Sequence, residues 1–275
     1  MNVDRLIMSS HTVNCPTFRE LVEATAAADV RAIALTYQQY RRFAEGGESD
    51  ADMVRIATAN GVQVVDIEAL FGVLEPDPSG RTAAHAERLF GLAELFGAAS
   101  IGTHSDFDGD IEVAAERLSR LCRSADARGL WIGVEPVPVM GLGDLATAWE
   151  VIRWSGCSNV GLVLDTWHFS RGAGTLDMVR SLPGAAFRTV QISDGHLAPP
   201  AGIDYLEDTL SNRLPPGEGE FDLAGIVASL SHIGADVGWD MEICSSKLDE
   251  LPGPEAARRA AQATRAVLAA AGRAS

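Results

Sequence analysis

The chain has 275 residues, 47% of them hydrophobic, which suffices for a sizeable core and is close to the roughly 250 residues of a (β/α)8 barrel. Its net charge of −16 repels phosphate backbones and anionic bilayers, so neither nucleic acid nor a membrane surface is an expected partner. Lys247 is the only lysine and hence the only Schiff-base candidate, but its SSKLD surroundings read as a solvated loop.

In chain order, apolar strand-like runs alternate with helix-like segments. Strands are expected at LIMSS (6–10), AIALT (32–36), VQVVDIEAL (62–70), ASIGTH (99–104), WIGVEPV (131–137), VGLVLDTW (160–167), FRTVQIS (187–193) and GWDMEIC (238–244). Between them, helical periodicity predicts helices over 17–28, 49–60, 81–97, 110–129, 144–156 and 222–234, with 255–271 closing the series. Thr17 with Glu20 fits a capping box, and Asn60, Gly97, Gly129 and Gly234 fit left-handed C-caps. Near-continuous apolar strands in repeated βα units mean a buried parallel sheet, and eight of them mean one closed (β/α)8 TIM barrel over 1–275. No GxGxxG follows the first strand, which disfavours a dinucleotide-binding sheet. The longest irregular stretch is 194–221, rich in Pro and Gly, and a loop of that length is usually functional.

The cysteines Cys15, Cys122, Cys157 and Cys244 form no CxxC pair and read as small buried thiols. Residues 1–10 lack a basic region followed by an apolar stretch of leader length, and no apolar run reaches the roughly 20 residues of a membrane span. The expectation is a cytoplasmic protein.

Four apolar runs end in one metal-capable side chain each: Glu135, Asp165, Gln191 and Glu242. Side chains alternate along a strand, so each can face the barrel interior near its C-terminal mouth, where active sites of this fold lie. Asp66 and Glu68 share one parity on the third strand. Two Glu, one Asp and one Gln offer oxygen donors only, a hard set suited to one Mg²⁺ or Mn²⁺ ion more than to Zn²⁺. Without a cation the three carboxylates would repel.

The motifs GVEP, GLVLDTWH, VQISD and NRLPPGEGEFD make the chain resemble the xylose-isomerase-like TIM-barrel superfamily over nearly its whole length. That superfamily holds sugar isomerases, keto-sugar epimerases, inosose dehydratases, 3-dehydroshikimate dehydratases and endonuclease IV. The resemblance implies that Glu135, Asp165, Gln191 and Glu242 hold one divalent metal. It also implies that His168 contacts substrate and that Arg213 reaches it from the 194–221 loop. Gln191 stands where the epimerases carry His and resembles the 3-dehydroshikimate dehydratases. Those enzymes also use an Arg after the third strand for the substrate carboxylate, whereas DIEALFGVLEPDP (66–78) has none. A neutral keto-sugar or cyclitol substrate is therefore expected. Endonuclease IV chemistry needs a basic groove and clustered His ligands, which six His and a charge of −16 do not supply.

The shared chemistry is proton abstraction beside a carbonyl through an enediolate stabilised by the metal. Glu135 and Glu242 are the candidate bases, and His168 would polarise the reacting oxygens. Reprotonation gives an isomerase or epimerase; loss of a β-substituent gives a lyase. His196 in SDGH is either a leaving-group donor or a loop-surface residue. His11 and His104, after the first and fourth strands, are candidates for the mouth, and Glu68 either binds a substrate hydroxyl or pairs with an Arg. A sugar-binding barrel without turnover and a homodimer are further expectations that the residues leave open.

Overall fold

The computed structural model describes residues 5–107 and 109–274. Eight strands, β1 (Leu6–Ser9), β2 (Ala32–Thr36), β3 (Gln63–Phe71), β4 (Ser100–His104), β5 (Trp131–Val134), β6 (Val160–Asp165), β7 (Phe187–Gln191) and β8 (Gly238–Met241), pair in sequence order into a closed barrel. Every pair is parallel, and β8 closes on β1 through Leu6↔Trp239, Ile7↔Asp240 and Met8↔Met241. The fold is a single (β/α)8 TIM barrel. Among the described residues, no helix is long and apolar enough to cross a membrane.

The sequence explains which side of each strand turns inward. A Cβ on Gly133 would lie 2.8 Å from Val163 Cγ2, so these residues of β5 and β6 face each other inside the barrel, and the missing side chain makes room for the valine. Two residues further along each strand, the same parity turns Glu135 and Asp165 inward. The opposite parity, with Ile132, Leu164, Val190 and Trp239, is buried in the hydrophobic core. β5 and β8 stop at Val134 and Met241, short of the expected ends, so Glu135 and Glu242 stand on the first residues past their strands. Backbone pairing to the barrel persists there: Glu135 N–H donates to Thr103 O at 3.0 Å.

The expected helices appear as Phe18–Ala27, Asp50–Ala59, Arg81–Phe96, Ile111–Asp126, Leu145–Ser155, Leu223–His232 and Gly253–Ala274. Thr17 caps the first, accepting from Glu20 N–H at 3.2 Å. Helices at Tyr37–Glu45, Thr166–Arg171, Leu176–Ser181, Tyr205–Ser211 and Ser246–Asp249 were not expected. Four of the five are seven residues or shorter, too brief for a helical period to show, and in three of them a side-chain cap starts the helix.

The 194–221 stretch is a correction to the sequence reading: it is an organised segment. Its helix Tyr205–Ser211 is capped by Asp204, which accepts from Glu207 N–H at 2.9 Å. Asp194 and Leu214 form an antiparallel bridge, and Asn212 bridges to Ser245. The buried Asp194 carboxylate is the hub, accepting from Gly195 N–H at 2.8 Å, Gly217 N–H at 2.9 Å and Phe221 N–H at 3.0 Å. A Cβ on Gly219 would lie 2.3 Å from Asp194 Oδ1, so the PPGEG turn closes on the carboxylate only with glycine there. Asp194→Ala strands these donors, and unfolding by urea should show a loss of about 3 kcal/mol. A loss below about 0.5 kcal/mol would mean that the segment is held by something else.

Candidate functional site

Asp165 ends β6 and caps the helix that follows. Its Oδ1 accepts from Trp167 N–H at 2.6 Å and His168 N–H at 3.3 Å, which leaves Oδ2 to face the mouth. Arg213 Nη1 meets that oxygen at 2.7 Å and lies 3.2 Å from Glu242 Oε2. Arg213 Nε donates to Thr209 O at 3.1 Å. Burial works against ionisation of Asp165, but the Arg213 guanidinium and these hydrogen bonds hold its carboxyl below the usual range. For Glu242 burial prevails and pushes the carboxyl up to about 7.

Glu135 faces Asp165 from β5. His104 Nε2 lies 3.2 Å from Glu135 Oε2, and His168 Nε2 lies 3.4 Å from Glu135 Oε1 and 3.8 Å from Asp165 Oδ2. Burial, then repulsion from Asp165 and Glu242, raises the Glu135 carboxyl well above its ordinary value. Burial also lowers His11, His104 and His168, each to about 4, so all three are neutral near pH 7. One ligand atom each from Glu135, Asp165 and His168 lies within 4.8 Å of the other two, a grouping that can hold a metal ion.

Gln191 sits beside Asp165 in the β6–β7 register and beside Asp240 in β7–β8. Its Nε2 donates to Glu68 Oε1 at 2.9 Å, and its buried Oε1 has no hydrogen-bond partner among the described residues. An unpartnered amide oxygen beside two carboxylates is what a cation ligand looks like before it is engaged. Glu68 is raised well above its ordinary value by burial, then by Asp240 and Asp66. Asp240, 1% exposed with both carboxylate oxygens unpartnered, adds a further buried acid below the mouth. Asp66, Glu68, Glu135, Asp165, Asp240 and Glu242 thus crowd one interior, and the guanidinium contacting any of them among the described residues is that of Arg213. These acids push one another towards protonation, and a divalent cation among their oxygen donors would let them ionise together.

Several expectations change. Arg213 reaches the mouth from the 194–221 segment, where it is 2% exposed and paired with two carboxylates. His196 is not brought to the site; its side chain is 66% exposed and lies 3.6 Å from Glu220 on the loop surface. Glu68 pairs with Gln191 rather than with an Arg. His104 lies beside Glu135, His11 is near enough to Arg213 to feel its charge, and Phe71, half-exposed, stacks on His104 with ring centroids 5.1 Å apart. Sequence reasoning missed Tyr205, whose hydroxyl lies 2.7 Å from His168 Nδ1, and Thr209, which accepts from Trp167 Nε1–H at 3.0 Å. The signal was present: Asp204 with Glu207 has capping spacing, which places Tyr205 on the first turn of a helix.

A family model described as a xylose isomerase-like TIM barrel matches residues 22–267. The chain belongs to that family. A 3-dehydroshikimate dehydratase from Pseudomonas aeruginosa is 29% identical over 219 residues, 77% of this chain and 34% of the relative. An inosose isomerase from Bacillus velezensis is 27% identical over 157 residues, 56% of this chain and 54% of the relative. The chain therefore spans about a third of the dehydratase and about half of the isomerase. Among solved structures, the IOLI protein with a zinc atom superimposes with a TM-score of 0.87 at 19% identity, over 97% of this chain and 98% of that one. Relatives of this family member are sugar or cyclitol isomerases and dehydratases.

Cation binding to the native state alone should raise thermal stability. Mn²⁺ at about 100 times its dissociation constant is expected to add about 2.7 kcal/mol, read by calorimetry. Asp165→Asn should abolish that increment; an equal increment in this variant would place the ion elsewhere.

Proposed function

We propose that the chain is a divalent-metal-dependent isomerase or epimerase of a neutral keto-sugar or cyclitol, acting by proton abstraction next to a carbonyl. The observation that carries this reading is the pairing at the mouth: Arg213 already meets Asp165 and Glu242. Nothing among these residues is free to hold a substrate carboxylate, whereas carboxylates, imidazoles and the Phe71 ring suit a polyol with an apolar C–H face.

Glu135, Asp165, Gln191 and Glu242 would hold the ion, and the unpartnered Gln191 Oε1 supports that set. The zinc of the IOLI protein supports a metal in the same fold; the oxygen donors of this chain favour Mn²⁺ or Mg²⁺. When bound, the ion supplies Lewis-acid stabilisation of charge developing on the carbonyl oxygen. Glu135 and Glu242, just past β5 and β8, are the candidates to take a proton from the adjacent carbon and return it. His168 and His104 lie beside Glu135, within reach of substrate oxygens that approach it. The stacked Phe71 and His104 rings form one wall of the mouth.

A lyase is the second reading, favoured by Gln191 and by the dehydratase relative. It differs only in the fate of the carbanion: expulsion of a β-hydroxyl rather than reprotonation.

Incubation with Mn²⁺ in D₂O, followed by NMR, separates the two. Inososes and ketoses should exchange the α-proton and change configuration or carbonyl position, and 3-dehydroshikimate should remain intact. Glu135→Gln should reduce exchange at least 100-fold. Conversion of 3-dehydroshikimate with no exchange in any neutral ketone would reverse the order of the two readings.

A further inference from the structure

Tyr205 is the first residue of the helix Tyr205–Ser211, and that helix is fastened to the one following β6 at three further points. Trp167 Nε1–H donates to Thr209 Oγ1 at 3.0 Å, Arg171 pairs with Asp208 at 2.8 Å, and Arg213, just past the helix, reaches Asp165 at 2.7 Å. These contacts fix the helix independently of Tyr205. The phenol ring then stacks on His168 at 5.8 Å between centroids and 25° between planes, with its hydroxyl 2.7 Å from Nδ1.

The other imidazole nitrogen settles which way the proton points. His168 Nε2 faces two carboxylate oxygens, Glu135 Oε1 at 3.4 Å and Asp165 Oδ2 at 3.8 Å. With a divalent ion at the mouth both carboxylates are ionised and only accept, so a bare Nε2 lone pair would be set against theirs. An Nε2–H is attracted to both. With the ring proton on Nε2, Nδ1 is an acceptor, and the Tyr205 hydroxyl is the donor at hand.

We propose that Tyr205 is a positioning residue: its O–H donates to His168 Nδ1 and locks the imidazole as the Nε2–H tautomer, aimed at substrate oxygens beside Glu135 and Asp165. This rests on the reading of the mouth as the reaction site. It makes His168 a hydrogen-bond donor to the reacting oxygens and not a metal ligand, since a ligating Nε2 must be unprotonated. Gln191 Oε1, which has no partner, is left to complete the ligand set. It also ties the 194–221 segment to the chemistry, because the segment supplies the group that sets the tautomer.

The test is a long-range ¹H–¹⁵N spectrum of the Mg²⁺-loaded, histidine-labelled protein without substrate, with His168 assigned by its loss in His168→Asn. The expected signature is a pyrrole-like Nε2 and a pyridine-like Nδ1. Tyr205→Phe keeps the stacked ring and removes only the hydroxyl, and should convert His168 to a tautomer mixture while metal content is unchanged. On a turned-over substrate, the same variant should lower kcat roughly 10- to 100-fold with KM unchanged. An Nδ1–H tautomer or an imidazolium in the native protein, an unaltered His168 spectrum in Tyr205→Phe, or a wild-type kcat in that variant would overturn the proposal. The spectrum needs no substrate, so failure to find a turned-over ketone counts against the assigned reaction and leaves the tautomer result standing.

Discussion

Arg213 between Asp165 and Glu242 is the contact on which the mouth of this barrel depends. A guanidinium buried at 2% exposure would be costly alone, and so would the carboxylates it meets. Together they satisfy one another, and removal of one partner from such a buried pair typically costs about 3–5 kcal/mol because the other is left uncompensated. The pairing also joins chain segments far apart in sequence: β6, the segment after β7, and the residue following β8 all end on one guanidinium nitrogen.

The helix Tyr205–Ser211 gains its place from the same arrangement. Thr209 gives its carbonyl to Arg213 and its hydroxyl oxygen to Trp167 Nε1–H, so one residue braces both the guanidinium and the indole beneath it. Asp194 holds the turn that brings the chain back, which makes the segment over the mouth a braced element rather than a free flap. Preorganisation of this kind matters for carbon-acid chemistry, where small displacements of the base or of hydrogen-bond donors lose much of the rate.

The barrel was legible because its signal is long-range and redundant: eight apolar runs, seven of them followed by a helical period, leave few other topologies. The parity of Glu135 and Asp165 was legible for the same reason, since β5 and β6 alternate without a break up to those residues. Arg213 was harder. Its place in a Pro- and Gly-rich stretch suggested a group reaching for substrate, and nothing local shows that two carboxylates distant in sequence pair with it. Tyr205 and Asp194 were missed because their roles are tertiary: one hydrogen bond to His168 and three backbone amides gathered by a single carboxylate. His196 went the other way, a plausible donor by position that the loop turns outward to Glu220. Strand parity carries information over the barrel, but loops set direction through contacts that composition does not record.

The family relation sets this chain beside isomerases and a dehydratase. The proposed carbanion chemistry on a neutral ketone turns on a cation at Glu135, Asp165, Gln191 and Glu242. The most direct measurement is anomalous diffraction at the manganese edge from crystals grown with Mn²⁺. The account predicts one peak at the mouth with oxygen ligands from these four residues at about 2.0 to 2.6 Å and His168 Nε2 outside the coordination sphere. A peak coordinated by His168 Nε2 with Gln191 turned away, or no peak with Arg213 still bridging Asp165 and Glu242, would contradict it.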